Sequence, residues 1–191
     1  PRFDARNWNG RALNVGDSVE TTWVDLPEPD VAVNDLRLRG YERGATLFAR
    51  GEGLCHADGS FAFTATIGGP ARLGQVFAYE PGAGENSAGE ATTPGRLTLI
   101  AESGQESLLK NGDNLTLSPW GDLIICEDTS EQCGIVGLRP DGTMYPIAYN
   151  AYTRAELAGV CFSPDGSTMF VNLQQNGMTL AITGSWRALR G

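Results

Sequence analysis

Short apolar or alternating segments, separated by glycine and proline turns, follow one another along most of the chain. Alternation with a period of two indicates a strand with one buried face, and short continuous apolar runs are typical of strands buried on both faces. The pattern predicts strands at residues 53–56, 61–66, 75–79, 97–102, 114–117, 122–127, 134–138, 144–149, 160–163, 168–173 and 179–183. No convincing long amphipathic helix interrupts them, so the sequence predicts an all-β protein.

A glycine turn followed by a strand recurs along this series. Gly59, Gly121 and Gly166 occupy the turns, 62 and 45 residues apart, and each unit holds three or four strands. A period of about 45 residues built only of strands is typical of β-propeller blades, which are four-stranded sheets. The repeat therefore predicts about three blades of a partial propeller over residues 44–191, with an ordinary antiparallel sandwich as the alternative.

Residues 1–43 are irregular and polar, and we expect them to form an N-terminal arm or the end of a preceding blade. The pattern here is compatible with a strand at 18–24, a short helix after Asp35 and a strand at 45–49. Propellers typically close with about 4–8 blades, so three blades would leave two apolar faces uncovered. We therefore expect the remaining blades to come from the same parent chain or from another copy, and the start at Pro1 without a methionine favours a fragment.

Composition and charge narrow the range of partners. Of the 191 residues, 41% are hydrophobic and 19% are charged, as in a globular protein, and no apolar run is long enough for a membrane span. The net charge of −9 argues against nucleic acid as a partner, because phosphate contacts need clustered Lys and Arg. Metal cations are the more natural partners of such a surface.

The cysteines and the single histidine do not define a site by themselves. The four cysteines lack zinc-binding spacing, and Cys126 and Cys133 either close a small disulfide loop or stay as reduced, buried thiols. His56 is the only histidine, so a Ser-His-Asp hydrolase contained in this chain would have to use it as the base. Catalysis assisted by a metal ion fits the sequence better.

Three carboxylates take equivalent places in the predicted repeat. Glu52, Asp113 and Glu156 each precede the innermost strand of a blade by one to four positions, where side chains reach the mouth of the central channel. Close carboxylates repel one another unless a cation neutralises them, and oxygen ligands without histidine suit Ca²⁺. Arg50 would add a bidentate donor for phosphate. A single acidic residue in a loop is usually only solvated. The acidic pair at 127–128 is compatible with a further pair of ligands at the channel mouth, but we interpret it as part of a turn beside Cys133.

Several motifs occur in a fixed order along the chain. They are Arg-Gly-Glu-Gly at 50–53, the run at 64–69, Asp-Asn-Leu at 113–115, the run at 121–128 and the segment 156–186, which is the most specific. Over roughly residues 44–187, this series resembles the C-terminal half of the PhoX-type alkaline phosphatases. The resemblance implies a six-bladed propeller that is exported by the twin-arginine route, to the periplasm or the cell exterior. It also implies a central site of calcium and iron ions that hydrolyses phosphomonoesters.

The resemblance further implies roles for individual residues. The arginine of the family's Arg-x-Glu motif contacts phosphate and its glutamate binds metal, which here would be Arg50 and Glu52. Asp113 and Glu156 match positions that look like calcium ligands. This chain departs from the family in having Gly51 where relatives often carry proline. We expect further metal ligands, including a cysteine, to come from the family's N-terminal half, which these residues do not match.

Three functions are compatible with the sequence. The first is a metal-dependent phosphatase acting on phosphomonoesters, and the second is a catalytically silent, calcium-stabilised propeller that serves as a structural or interaction module. The third is a calcium-dependent, lactonase-like hydrolase, which also uses central carboxylates. Hydrolysis of a phosphate ester with and without Ca²⁺ separates the first from the second, and hydrolysis of a lactone tests the third.

Overall fold

The computed structural model describes residues 3–190. The strands are β1 (Ser18–Thr21), β2 (Gly51–Ala57), β3 (Ser60–Ala65), β4 (Gln75–Glu80), β5 (Gly95–Glu102), β6 (Gly112–Leu117), β7 (Leu123–Glu127), β8 (Gly134–Leu138), β9 (Met144–Tyr149), β10 (Leu157–Phe162), β11 (Thr168–Leu173) and β12 (Met178–Thr183). One short α-helix, α1 (Leu36–Glu42), and two 3-10 helices at Glu90–Thr92 and Trp186–Arg190 complete the elements. The all-β prediction is confirmed.

The strands form three antiparallel sheets. Their orders are β1-β5-β4-β3-β2, β6-β7-β8-β9 and β10-β11-β12. Strands that follow one another in the sequence are neighbours, except that β1 is added at one edge beside β5. These meanders correspond to the three predicted units, and the propeller that they would build together with further blades is a proposal.

The hydrophobic pattern located the strands closely. β8, β9 and β11 have the predicted bounds, and the other strands of the three units differ by at most three residues at either end. The strand expected at 18–24 ends at Thr21, whereas the strand expected at 45–49 does not form. Instead, Leu47 makes an isolated parallel bridge with Asp4, and the ring of Phe48 packs edge-on against Phe63.

Strand β7 shows how the sheets are stacked. All five of its residues are buried, because the middle sheet is covered on both faces. Successive side chains of a strand point to opposite faces. Ile124 accordingly packs with Met169 in the core shared with the third sheet, and Ile125 packs with Val76 in the core shared with the first.

The N-terminal segment covers the outer face of the first sheet. Ala5 and Leu13 are buried there against Phe77 and Leu99. Phe48 lies edge-on to Phe77, with 5.2 Å between ring centroids. One of the two end faces that the blade count predicted to be open is therefore covered by residues of this chain.

The four cysteines are free thiols, and Cys126 and Cys133 are buried. The backbone N–H of Thr129 donates to the sulfur of Cys133 at 3.4 Å, and this contact helps to hold the turn between β7 and β8. Of the two alternatives for this pair, the structure shows the reduced one. Within residues 3–190, no helix has the length and apolar character needed to cross a membrane.

Candidate metal and phosphate site

Three acidic side chains meet at one edge of the second and third sheets. Asp113 is the second residue of β6, Asp128 follows the end of β7, and Glu156 precedes the start of β10. β6 and β7 are antiparallel with Gly112 opposite Glu127, so the start of one strand and the end of the other share this edge. The pairing of β6 shifts register across Asp113, and bulges of this kind re-aim side chains next to functional sites.

The carboxylates of Asp113, Asp128 and Glu156 form a compact group, which we call the acidic cluster. One oxygen from each residue lies within 4.8 Å of the other two, and no other group of three possible metal ligands occurs in the described part of the chain. Asp113 is only 5% exposed. Two oxygens on opposite sides of a Ca²⁺ ion are about 5 Å apart, so the spacing suits a shared cation.

Burial and mutual proximity favour the protonated form of the carboxylates in the acidic cluster when no cation is bound. Burial raises the pKa of Asp113, and burial together with a hydrogen bond to Asp113 and the nearby charge of Asp128 raises the pKa of Glu156 to about 7. A protonated Glu156 donates to the ionised Asp113, which removes part of the repulsion between them. A divalent cation would remove the repulsion more completely.

Arg50 lies beside the acidic cluster and is held by two ion pairs. Its Nε donates to Glu52 at 3.0 Å, and a terminal nitrogen donates to Asp128 at 2.8 Å. These two bonds use two of the five N–H donors of the guanidinium, and the side chain is 45% exposed. The backbone of Arg50 is left-handed, with φ of 59°, an unfavourable conformation that in proteins often marks a functional position.

The structure brings most of the expected site residues to one place. Asp113 and Glu156 both belong to the acidic cluster, and Arg50 reaches the same edge through Asp128. Glu52 lies outside the group of three and binds Arg50, although its charge is close enough to raise the pKa of Asp113. Its role as a metal ligand therefore stays a prediction.

Asp128 joins the acidic cluster although the sequence indicated a turn. Its neighbour Glu127 is not in a turn but is the last residue of β7, and its carboxylate accepts hydrogen bonds from the backbone N–H groups of Lys110 and Gly134. Asp128 itself points to the site. The available signal was its position directly after a fully buried strand that pairs with β6, because that pairing places it beside Asp113.

Further hydrogen bonds hold Asp113 and Glu156, and the strands next to them, in place. The Asn114 side chain donates to Asp113 at 3.2 Å and accepts from the backbone N–H of Gly159, which links β6 to β10. With its nitrogen toward Glu156, the amide of Gln174 donates to both carboxylate oxygens, at 3.0 and 3.1 Å. The buried Thr64 hydroxyl donates to the backbone carbonyl of Asp113 at 2.6 Å. Such contacts orient ligands before an ion binds.

Fold and site together define an all-β protein of stacked antiparallel meanders with an acidic cluster and an arginine at one edge. The family model described as alkaline phosphatase PhoX matches residues 7–177. The chain belongs to the alkaline phosphatase PhoX family, as its motifs indicated. The match begins within the N-terminal arm and so extends further toward the N-terminus than the resemblance over residues 44–187. A comparison with curated proteins found no match.

Proposed function

We propose that this chain forms part of a metal-dependent phosphatase of the PhoX type that hydrolyses phosphomonoesters. The observation that carries the proposal is Arg50, a phosphate-binding type of side chain, held beside the acidic cluster in a chain of the alkaline phosphatase PhoX family. Anion-binding and cation-binding groups side by side are what a phosphate ester and its metal require.

The donor set fits a hard divalent cation, and we propose calcium. Asp113, Asp128 and Glu156 would hold it through carboxylate oxygens, the ligands that Ca²⁺ prefers. A cation held there would supply Lewis-acid polarisation of the substrate's phosphoryl oxygens.

The proposal that the site also holds iron rests on the family resemblance alone. Among the described residues, Cys126 is the thiol close enough for the charges of Asp113 and Glu156 to affect its pKa. Burial raises this pKa to about 12. A thiol that stays protonated is a poor metal ligand. The described residues therefore offer oxygen donors only at this edge, and any iron centre would need ligands from elsewhere.

The roles of the chain's own residues follow from their contacts. Arg50 binds the phosphate through N–H donors that its ion pairs leave free, and it stabilises the negative charge that develops on the oxygens. Glu52 and Asp128 hold the guanidinium in place from two sides. Glu156 carries the proton that must leave when the cation binds.

Further blades of the same protein, or another copy, are proposed to complete the propeller. The outer face of the third sheet supports this idea, because Cys161, Phe170 and Ala181 lie in register across it and none of them is fully buried. A location outside the cytoplasm, in the periplasm or beyond, is proposed from the family resemblance.

The test is hydrolysis of p-nitrophenyl phosphate by the full-length protein, with Ca²⁺ and after chelation. We expect activity that depends on Ca²⁺ and falls at least about a hundredfold in Glu156→Ala, with an unchanged circular dichroism spectrum. Activity that survives both chelation and Glu156→Ala would contradict the proposed site. A folded protein that binds Ca²⁺ but hydrolyses no phosphomonoester would instead indicate the silent structural module.

A further inference from the structure

An open cleft lies between the two loops that carry the outer members of the acidic cluster. It has a volume of about 620 Å³, and it is lined by the loop between β7 and β8 and the loop between β9 and β10. Its lining includes Glu131, Gln132, Tyr152 and Arg154. The volume is in the range of sites that hold small organic molecules, about 300–1,000 Å³.

Chain connectivity keeps the cleft next to the proposed site. Glu131 is three residues after Asp128, and Arg154 is two residues before Glu156. Even a fully extended chain limits these Cα separations to about 11 and 7 Å, respectively. Since Asp128 and Glu156 themselves meet, the two loops converge at the acidic cluster and diverge to form the cleft. A phosphate bound at Arg50 would therefore have its ester group within reach of this space.

The backbone of the loop between β9 and β10 is held by hydrogen bonds from one buried side chain. The side chain of Asn150, which is 7% exposed, accepts from the backbone N–H groups of Tyr152 and Thr153 at 3.2 and 3.0 Å. Its amide nitrogen donates to the carbonyl of Ala155 at 2.9 Å. Tyr152 is 75% exposed, so this loop presents its aromatic ring to the solvent. An exposed tyrosine on a constrained backbone offers a large contact area at a low entropic cost, because its side chain has only two rotatable angles.

The chemistry of the cleft selects a planar, polar ligand. Tyr152 provides a ring for stacking, whereas Glu131 and Gln132 provide hydrogen-bonding groups for hydroxyls and ring nitrogens. Arg154 has no ion pair among the described residues, so its guanidinium can bind an anionic ester, while Glu131 brings one negative charge to the same lining. Apart from Ala151 and the tyrosine ring, the lining is polar, which disfavours a lipid-like alcohol.

We propose that this cleft binds the leaving group of the substrate and that Tyr152 stacks on a planar base, which makes nucleoside monophosphates a preferred substrate class. The inference rests on the proposed phosphatase function. Stacking of one base on an aromatic side chain corresponds to roughly a tenfold effect on binding when the side chain is replaced by alanine.

The experiment compares two substrates in the full-length protein with Ca²⁺. One is adenosine 5′-monophosphate, and the other is glycerol 1-phosphate, which has no ring. We expect Tyr152→Ala to lower the ratio of their kcat/KM values about tenfold, and Tyr152→Phe, which keeps the ring, to preserve the ratio. Tyr149→Ala is the matched control, since Tyr149 is also exposed but does not line the cleft. We expect the ratio to stay at the wild-type value there.

The outcomes separate the inference from the function on which it rests. If both substrates are hydrolysed and Tyr152→Ala leaves the ratio of their kcat/KM values unchanged, the proposed stacking on Tyr152 is wrong. The proposed phosphatase function is then still supported. If neither substrate is hydrolysed, the proposed phosphatase function is wrong. Saturation-transfer NMR with adenosine then tests whether the cleft binds a nucleoside. Adenosine binding that weakens about tenfold in Tyr152→Ala supports the cleft as a nucleoside site. No binding, or equal binding by both proteins, overturns it.

Discussion

The raised pKa of Glu156 makes the stability of the folded protein depend on pH. This pKa is raised from the usual 4.5 to about 7 in the folded state, so between these values the folded protein holds a proton that the unfolded chain has released. By linkage, this contribution to stability is present at low pH and is lost as the pH rises through about 7. Burial raises the pKa values of Asp113 and Glu127 in the same direction.

We therefore expect the free energy of unfolding of the chelated protein to fall between about pH 5 and pH 8. Glu156→Gln, which cannot ionise, should reduce this fall, and saturating Ca²⁺ should reverse it because the cation replaces the proton. Urea unfolding at the two pH values measures the effect. An identical fall in wild type and Glu156→Gln would show that Glu156 does not carry the proton.

Arg50 illustrates why charge alone does not define the phosphate contact. Lysine keeps the positive charge but lacks the planar fork that reaches Glu52, Asp128 and a phosphate together. We expect Arg50→Lys to lower kcat/KM for p-nitrophenyl phosphate by about a hundredfold. Calorimetric titration should show that its affinity for Ca²⁺ is nearly unchanged. Loss of Ca²⁺ binding with normal turnover at saturating Ca²⁺ would mean that Arg50 supports the ion instead of the phosphate.

At the scale of the element, β6 is positioned by the close approach of β2. A Cβ atom added to the buried Gly53 would clash with the backbone carbonyl of Asp113. It would also lie 2.7 Å from a methyl carbon of Leu115 and 2.9 Å from the Cα of Asn114. The two strands come this close because glycine has no side chain, and the contact fixes the strand that carries Asp113.

Gly53→Ala should therefore destabilise the protein by about 1–3 kcal/mol and also weaken Ca²⁺ binding. Gly51→Ala is the matched control in the same strand, because a Cβ there meets nothing within 4 Å. It should change the free energy of unfolding by no more than about 0.5 kcal/mol. Urea unfolding of both variants provides the measurement, and equal effects of the two would contradict the role assigned to the close approach.

The elements were more predictable from sequence than the site. Strands such as β7 and β11 could be predicted because their periodicity depends only on which faces are buried. Asp113 and Glu156 could be predicted through their place in the repeat. For Asp128 the sequence left both a turn and a ligand position open, because an acidic residue at a strand end looks the same whether it closes a turn or faces a site. Only the pairing of β7 with β6 distinguishes the two.

At the scale of the whole molecule, the sheets are stacked and their two ends differ. The N-terminal arm covers the first sheet, an arrangement that the sequence could not reveal because an irregular segment has no periodicity. The third sheet has its inner face in the core and leaves the row of Cys161, Phe170 and Ala181 on the other side. This face is the surface on which a further blade would pack.

We expect the isolated chain to associate through this face. Light scattering should show a mass above the 20.3 kDa of one chain that decreases when Phe170 is replaced by Thr, a polar residue suited to strands. Val15→Thr, at an exposed apolar position on the N-terminal arm, is the control and should leave association unchanged. A stable, folded monomer at all concentrations would argue against the missing blades.

The most direct test of the site is calorimetric titration of Ca²⁺ into wild type, Asp128→Asn and Glu52→Gln. Asp128 belongs to the acidic cluster, whereas Glu52 binds Arg50 at its margin. If Asp113, Asp128 and Glu156 hold the ion, Asp128→Asn should weaken Ca²⁺ binding by about 10–100-fold, and Glu52→Gln should weaken it only slightly. Equal binding by wild type and Asp128→Asn, or a larger loss in Glu52→Gln, would contradict the assignment of the cation to these three carboxylates.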